Sequence, residues 1–170
     1  MNSYSREYFE CGGGSHYMGY EDGPLHETRA KAIAKFKPKN VLEIGCAKGF
    51  TVKHLREMGV DAYGVDISHY AVEQADNPAI TLHDITKKFP FKDGEFDWVI
   101  SWDVLEHIPL ESIPFVISEL QRVGKNNFHR IATESDEDDA DTTHVSIYPI
   151  EWWRERFTNS LLQGSNDPDL

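Results

Sequence analysis

Basic residues are scarce in this chain. Lys and Arg number 17 against 29 for Asp and Glu, a formal net charge of −12, and the basic residues gather into no block. That balance disfavours nucleic acid as the main partner, because neutralising phosphates supplies much of the affinity in such complexes. Cysteine is nearly missing too: Cys11 and Cys46 form no recognisable disulfide framework. No apolar run approaches the roughly 20 residues of a membrane span. The first residues also lack the charged, apolar, small-residue order of a secretory leader. The expectation from these absences is a cytoplasmic protein with reduced thiols and no membrane span.

Two familiar glycine fingerprints are also missing. A dinucleotide loop wants G-x-G-x-x-G, but Ala47 and Phe50 stand where its second and third glycines belong, and no G-x-x-x-x-G-K-[ST] phosphate loop occurs. What is present is E-x-G-x-x-x-G, in the stretch VLEIGCAKG. Val41, Leu42 and Ile44 read as a short buried strand, Gly45 opens a tight turn, and FTVKHLREMG carries apolar residues at helical spacing. In an open α/β sheet such a corner lies where ligands bind, with glycines admitting close approach and a helix offering unpaired N–H groups. The carboxylate of Glu43 would repel a pyrophosphate and suit an ammonium or sulfonium charge.

The run Glu43-Ile44-Gly45-Cys46-Ala47-Lys48-Gly49 resembles the first motif of the class I S-adenosylmethionine-dependent methyltransferases, with Ala47 replacing the usual middle glycine. The resemblance implies a doubly wound, mainly parallel α/β sheet of Rossmann-like type. It also implies S-adenosylmethionine as cofactor, in contact with Glu43, Gly45, Cys46, Ala47 and Gly49. The segment FPFKDGEFDWVISWDVLEHI resembles the fourth motif of the family's small-molecule branch, the Methyltransf_11 type.

By length the chain is one domain, at residues 24–170, preceded by an arm at residues 1–23. The arm holds three consecutive glycines, so no stable helix or strand of its own is expected and its tyrosines must dock elsewhere. It is either loosely ordered or, as the resemblance implies, a lid whose Tyr17 and Tyr20 cover the cofactor. A helix is predicted over residues 24–37, then the glycine corner, then a strand DAYGVDIS that ends at Asp66. Asp66 lies about 20 residues past Gly45, the spacing that brings an acid beside a glycine loop to accept ribose hydroxyls; the bland alternative is a helix cap. A third strand covers residues 80–82. The resemblance places adenine against Asp84 and Ile85, and implies further cofactor contacts at Ile67, Ser101 and Trp102.

Beyond the fourth strand, at residues 96–101, an amphipathic helix is expected over 111–123 and a fifth strand over 127–133. The acidic run 134–141 lacks the glycine and terminal glutamate of an EF-hand and reads as a solvated loop. A helix follows near Pro149, within a His-x-x-x-x-Pro-x-x-Trp-Trp stretch similar to one in relatives where the preceding loop faces the substrate. Residues 158–162 can make at most one short edge strand. The sheet is therefore expected to be shortened, with an unpaired edge on the fifth strand and a tendency to form a homo-oligomer.

Methyl transfer from a sulfonium needs alignment, exclusion of water and sometimes removal of a proton. The candidate bases are His144, preferred for its polar loop, and His107. Asp103, Glu106 and His107 fall at i, i+3 and i+4 and look like an E-x-x-E-H metal arrangement, with His144 as a fourth ligand; the alternative is a packing or capping role with no metal. The leading functional expectation is methylation of a hydroxyl on a small-molecule acceptor: a sugar, lipid precursor or phenolic metabolite. The rivals are a protein methyltransferase and a cofactor-binding module without turnover. The [NDS]-P-P-[FY] sequence of nucleic-acid amino methylation is missing at Ser101-Trp102-Asp103-Val104.

Overall fold

The structure is a computed structural model and describes residues 4–15, 17–133, 141–164 and 167. Six strands form one parallel sheet in the order β3-β2-β1-β4-β5-β6. They are β1 (Asn40–Ile44), β2 (Asp61–Asp66), β3 (Ile80–Leu82), β4 (Phe96–Trp102), β5 (Gly124–Ile131) and β6 (Ser160–Gly164). The helices are α1 (Arg6–Glu10), α2 (Pro24–Ala34), α3 (Phe50–Glu57), α4 (His69–Ala75), α5 (Ile113–Val123) and α6 (Ile150–Arg154). The expected doubly wound α/β sheet is observed. Val41, Leu42 and Ile44 are wholly buried in its centre, as an apolar run in a parallel strand must be. The order reverses between β1 and β4, and the crevice at their carboxyl ends is where such sheets take ligands.

Two apolar clusters hold the helices on the sheet. α5 turns Ile113, Val116, Ile117 and Leu120 inward against Leu42, Val99 and Ile131, while Ala30 and Ile33 of α2 join Val52 and Leu55 of α3 over Val41 and Ile100. The predicted single helix over 111–123 divides into a 3-10 turn at Leu110–Ser112 and α5, with Pro114 in the first turn, where its missing N–H costs nothing. β5 starts at Gly124, earlier than predicted. A Cβ there would lie 2.6 Å from Val99, so only glycine lets the chain pass directly from α5 into the sheet.

Two expectations need correction. The arm does form a helix, α1, which buries Tyr8 and Phe9 against Ala47 and Ala71; packing on the glycine loop replaces the local stability that the sequence lacks. The far edge of β5 is not open either: β6 pairs with it from Asn127↔Ser160 to Ile131↔Gly164. The unpaired edge behind the expected self-association is therefore covered. Among the described residues no helix is long and apolar enough to cross a membrane.

Candidate active site

A cavity of about 320 Å³ opens at the carboxyl ends of the central strands. Its floor is the turn after β1. Gly45 sits at φ +61°, and a Cβ there would meet Val104 at 2.4 Å, so backbone alone faces the cavity at this point. Ala47 is also left-handed, at φ 50°. Its N–H donates to Asp66 Oδ2 at 2.7 Å, while Asp66 Oδ1 accepts from Ser68 N–H at 2.8 Å. Asp66 thus braces the turn, and with the Ile67 N–H as a third backbone donor its carboxylate keeps one of about four acceptor sites. Burial pushes its pKa up, opposed by hydrogen bonds from the backbone of Ser68, Ala47 and Ile67.

One wall is the loop after β3. Asp84 Oδ1 accepts from both the N–H and the hydroxyl of Thr86, at 2.9 and 2.7 Å, which folds the loop back, and Ile85 is buried beside it. Two lining groups, His83 Nε2 and Trp102 Nε1, are buried with no hydrogen-bond partner among the described residues. Arg29, reaching in from α2, lies over the Trp102 ring at 4.8 Å and donates to Asp103 at 3.1 Å. Arg130 grips the same carboxylate from β5.

The roof is aromatic: Tyr4, Tyr8, Phe9, Tyr17 and Tyr20 all line the space. Tyr17 and Tyr20 meet edge to face with centroids 4.9 Å apart, and Tyr20 stacks on Phe50 at 5.6 Å. Tyr8 donates to Asp141 at 2.7 Å, and Thr142 N–H donates to the Gly14 carbonyl at 3.1 Å, so the arm is tied to the loop before α6.

Of the predicted contacts, Gly45, Ala47, Asp66, Ile67, Asp84, Ile85, Trp102 and His107 all line the cavity. Five predicted residues do not line it. Glu43 lies beneath the turn, capping the first turn of α3 through Thr51 and Val52, and burial pushes its pKa to about 8 against the pull of Arg29. Cys46 packs its sulfur towards Gly64, and Gly49 is the left-handed N-cap of α3 facing Ile80. Ser101 is on the opposite face of β4 from Trp102, with its hydroxyl 2.8 Å from His129 Nδ1. His144, expected in a flexible polar loop, has a side chain only 11% exposed. Its ring is 4.6 Å from that of His107, which lines the cavity where His144 does not.

The proposed metal trio is also rearranged. Asp103 is taken by two guanidinium groups, and the ligand-type atoms that converge within 4.8 Å belong to Glu106, His107 and His144. Glu106 Oε1 accepts the Ala132 N–H at 3.1 Å, and burial, then the charge of Asp103, drives its pKa well up. The trio suits a divalent cation only if Glu106 ionises.

The acidic run is described only at Asp141; residues 134–140 lie outside the described residues. Asp141 is buried, which corrects the solvated-loop reading at that position. Sequence reasoning passed over Arg29, Tyr4, Tyr8, Asp141 and Thr143. Arg29 carried one signal, being an arginine next to the inward stripe of its helix. The others meet the site only through long-range contacts.

Comparison with known proteins fits this geometry. A rice protein named probable tocopherol O-methyltransferase, chloroplastic, is 34% identical over 101 residues, covering 53% of this chain and 27% of its own length. Norajmaline N-methyltransferase of Rauvolfia serpentina is 32% identical over 83 residues, covering 42% of this chain and 28% of its own. The chain thus spans well under half the length of these curated relatives. The crystal structure of the PH0226 protein from Pyrococcus horikoshii OT3 superposes with a TM-score of 0.52 at 28% identity, over 58% of this chain and 51% of that one. The Methyltransf_23 family, described as "Methyltransferase domain", matches residues 17–160, from within the aromatic arm to the start of β6, and the chain belongs to this family, of the class I S-adenosylmethionine-dependent kind.

Proposed function

We propose that this protein transfers the methyl group of S-adenosylmethionine to a hydroxyl on a small acceptor: a sugar, a lipid precursor or a phenolic metabolite. The observation that carries this reading is that Asp66 and His107 line one cavity, the first suited to a ribose and the second to an acceptor proton. The cofactor fits the residues present. Bare backbone at Gly45 allows close approach, Asp66 retains an acceptor site for a ribose hydroxyl, and among the described residues the Trp102 Nε1–H donor and His83 Nε2 have no partner. When bound, the cofactor supplies an electrophilic methyl on a sulfonium.

The chain's own tasks follow from its geometry. Asp66 and the Gly45–Ala47 turn hold the adenosine end, while Asp84 and Ile85 bound the base. The five aromatic rings of the roof exclude water from the reacting atoms and offer π faces to a cation. His107 takes the acceptor's proton. Burial, then the neighbouring His144, lowers its pKa, so it is neutral and able to accept at pH 7. The rice relative's name supports an oxygen acceptor. A nitrogen acceptor is the second reading, favoured by the Rauvolfia relative's name.

Asp66→Ala is expected to weaken binding of S-adenosylhomocysteine by roughly tenfold to a hundredfold, the consequence of losing charge-assisted hydrogen bonds worth on the order of 1.5 to 3 kcal/mol. Asp66→Asn keeps the shape and separates this loss from collapse of the Ala47 turn. Calorimetry reads both variants; unchanged affinity removes the ribose assignment, and no binding by the parent chain removes the proposed function. Release of S-adenosylhomocysteine with a panel of sugars, phenols and amines then identifies the acceptor class. Binding without release on any acceptor would leave a cofactor-binding module.

A further inference from the structure

We infer that Thr143 and Asp141 fix the tautomer of His107, holding its proton on Nδ1 and leaving Nε2 as the basic nitrogen. The Thr143 hydroxyl lies 2.6 Å from Asp141 Oδ1 and 2.9 Å from His107 Nδ1. One hydroxyl has one proton to give. A carboxylate can only accept, and a separation this short is that of an O–H donating to a charged oxygen, so the proton of Thr143 points to Asp141. The hydroxyl oxygen is then left to accept. The ring nitrogen that faces it must carry hydrogen.

The argument depends on Asp141 being ionised, and its surroundings keep it so. Besides the Thr143 hydroxyl it accepts the Thr143 N–H at 2.9 Å and the Tyr8 hydroxyl at 2.7 Å. Burial raises its pKa, but the hydrogen bonds of Thr143 and Tyr8 outweigh that and leave it lowered. His107 is neutral near pH 7, so a proton on Nδ1 means a lone pair on Nε2. The groups about the ring are His144 at 4.6 Å, Tyr4 edge-on at 5.8 Å, the Thr143 backbone, which hydrogen-bonds the ring, and the acids Asp103 and Glu106 of its own turn, with Asp141 behind Thr143. Thr143 and Asp141 are therefore positioning residues, and Tyr8 ties the aromatic arm to the same carboxylate. The role of Nε2 as the base rests on the methyl-transfer reading; the tautomer does not.

Long-range proton–nitrogen correlation spectra of ¹⁵N-labelled full-length protein test this directly, with the His107 signals assigned by their loss in His107→Gln. A pyrrole-type Nδ1 and a pyridine-type Nε2 are expected in the parent chain and in Thr143→Ser. Thr143→Val, nearly the same shape without the hydroxyl, is expected to lose the fixed pattern and show exchange with the Nε2–H form. A parent spectrum with Nε2–H, or an unchanged pattern in a folded Thr143→Val, overturns the inference. Should Thr143→Val fail to fold, the parent spectrum alone decides. An Nδ1–H tautomer in a protein that methylates nothing would uphold the inference while the functional reading falls.

Discussion

Replacing His107 with glutamine is expected to lower methyl-transfer turnover by about a hundredfold or more, the typical worth of a positioned general base. Binding of S-adenosylhomocysteine should change little, because the proposed adenosine contacts are Asp66, at the end of β2, and Asp84, in the loop after β3. The same substitution at His144 should cost far less. His144 does not line the cavity and packs its ring on that of His107, so its loss alters packing and a neighbouring group and removes no reacting group of the proposed site. Steady-state release of S-adenosylhomocysteine, with an acceptor found from the panel, compares the two variants. Unchanged turnover in His107→Gln sinks the base and leaves catalysis to alignment alone. If a chelator abolishes turnover of the parent chain and both histidine variants fail equally, Glu106, His107 and His144 are metal ligands instead.

Stability should be greatest between about pH 4.5 and 6.5 and fall on both sides. His129 is wholly buried on β5, its Nδ1 against Ser101 and its Nε2 with no hydrogen-bond partner among the described residues. Burial pulls its pKa from 6.5 to about 3. Below about pH 6.5 the unfolded chain binds a proton that the native state refuses, so stability is lost as pH falls towards 3. Glu43 works in the opposite sense, its pKa raised from 4.5 to about 8. Its contribution is complete below about pH 4.5 and is lost as pH rises through 8, because the unfolded carboxyl ionises first. Between the two ordinary values the slopes of these two groups cancel. At about 1.4 kcal/mol per pK unit each net limb is worth on the order of 2 kcal/mol. Urea unfolding from about pH 3 to 9 measures the profile; Glu43→Gln should flatten the alkaline limb and His129→Leu the acid one. Stability that rises steadily from about pH 5 to 8 would contradict the Glu43 assignment, and no loss of stability as pH falls from about 4.5 to 3 would contradict that of His129.

The strand, turn and helix around Gly45 were legible in the sequence because each is a local pattern: a buried apolar run, a glycine where φ must be positive, and helical spacing from Phe50 onward. The acids at the ends of neighbouring strands were legible for the same reason, since one helix and one strand of ordinary length set the distance from Gly45 to Asp66. The sheet's order follows from repeated strand and helix units with right-handed crossovers. Other side chains have partners that the sequence does not show, where two groups distant in sequence compete for one side chain. Glu43 looks like a ligand until α3 lays its first turn over the carboxyl. Ser101 looks like a cavity residue until β5 brings His129 to the same register. Asp103 looks like a metal ligand until α2 and β5 each send an arginine.

What the sequence by itself determined is therefore the parallel α/β frame, the glycine corner and the acids beside it, all governed by contacts within one turn or one crossover. Only the tertiary structure decided which histidine lines the cavity, that β6 covers the edge of β5, and that Asp141 leaves the acidic run to become a buried acceptor. Tyr8 and Asp141 are separated by 133 residues, and Thr143 and His107 by 36. No periodicity or spacing rule spans such separations. Those pairs exist because the folded sheet brings the arm, the turn after β4 and the loop before α6 to one end, where a buried carboxylate must find donors or stay in water.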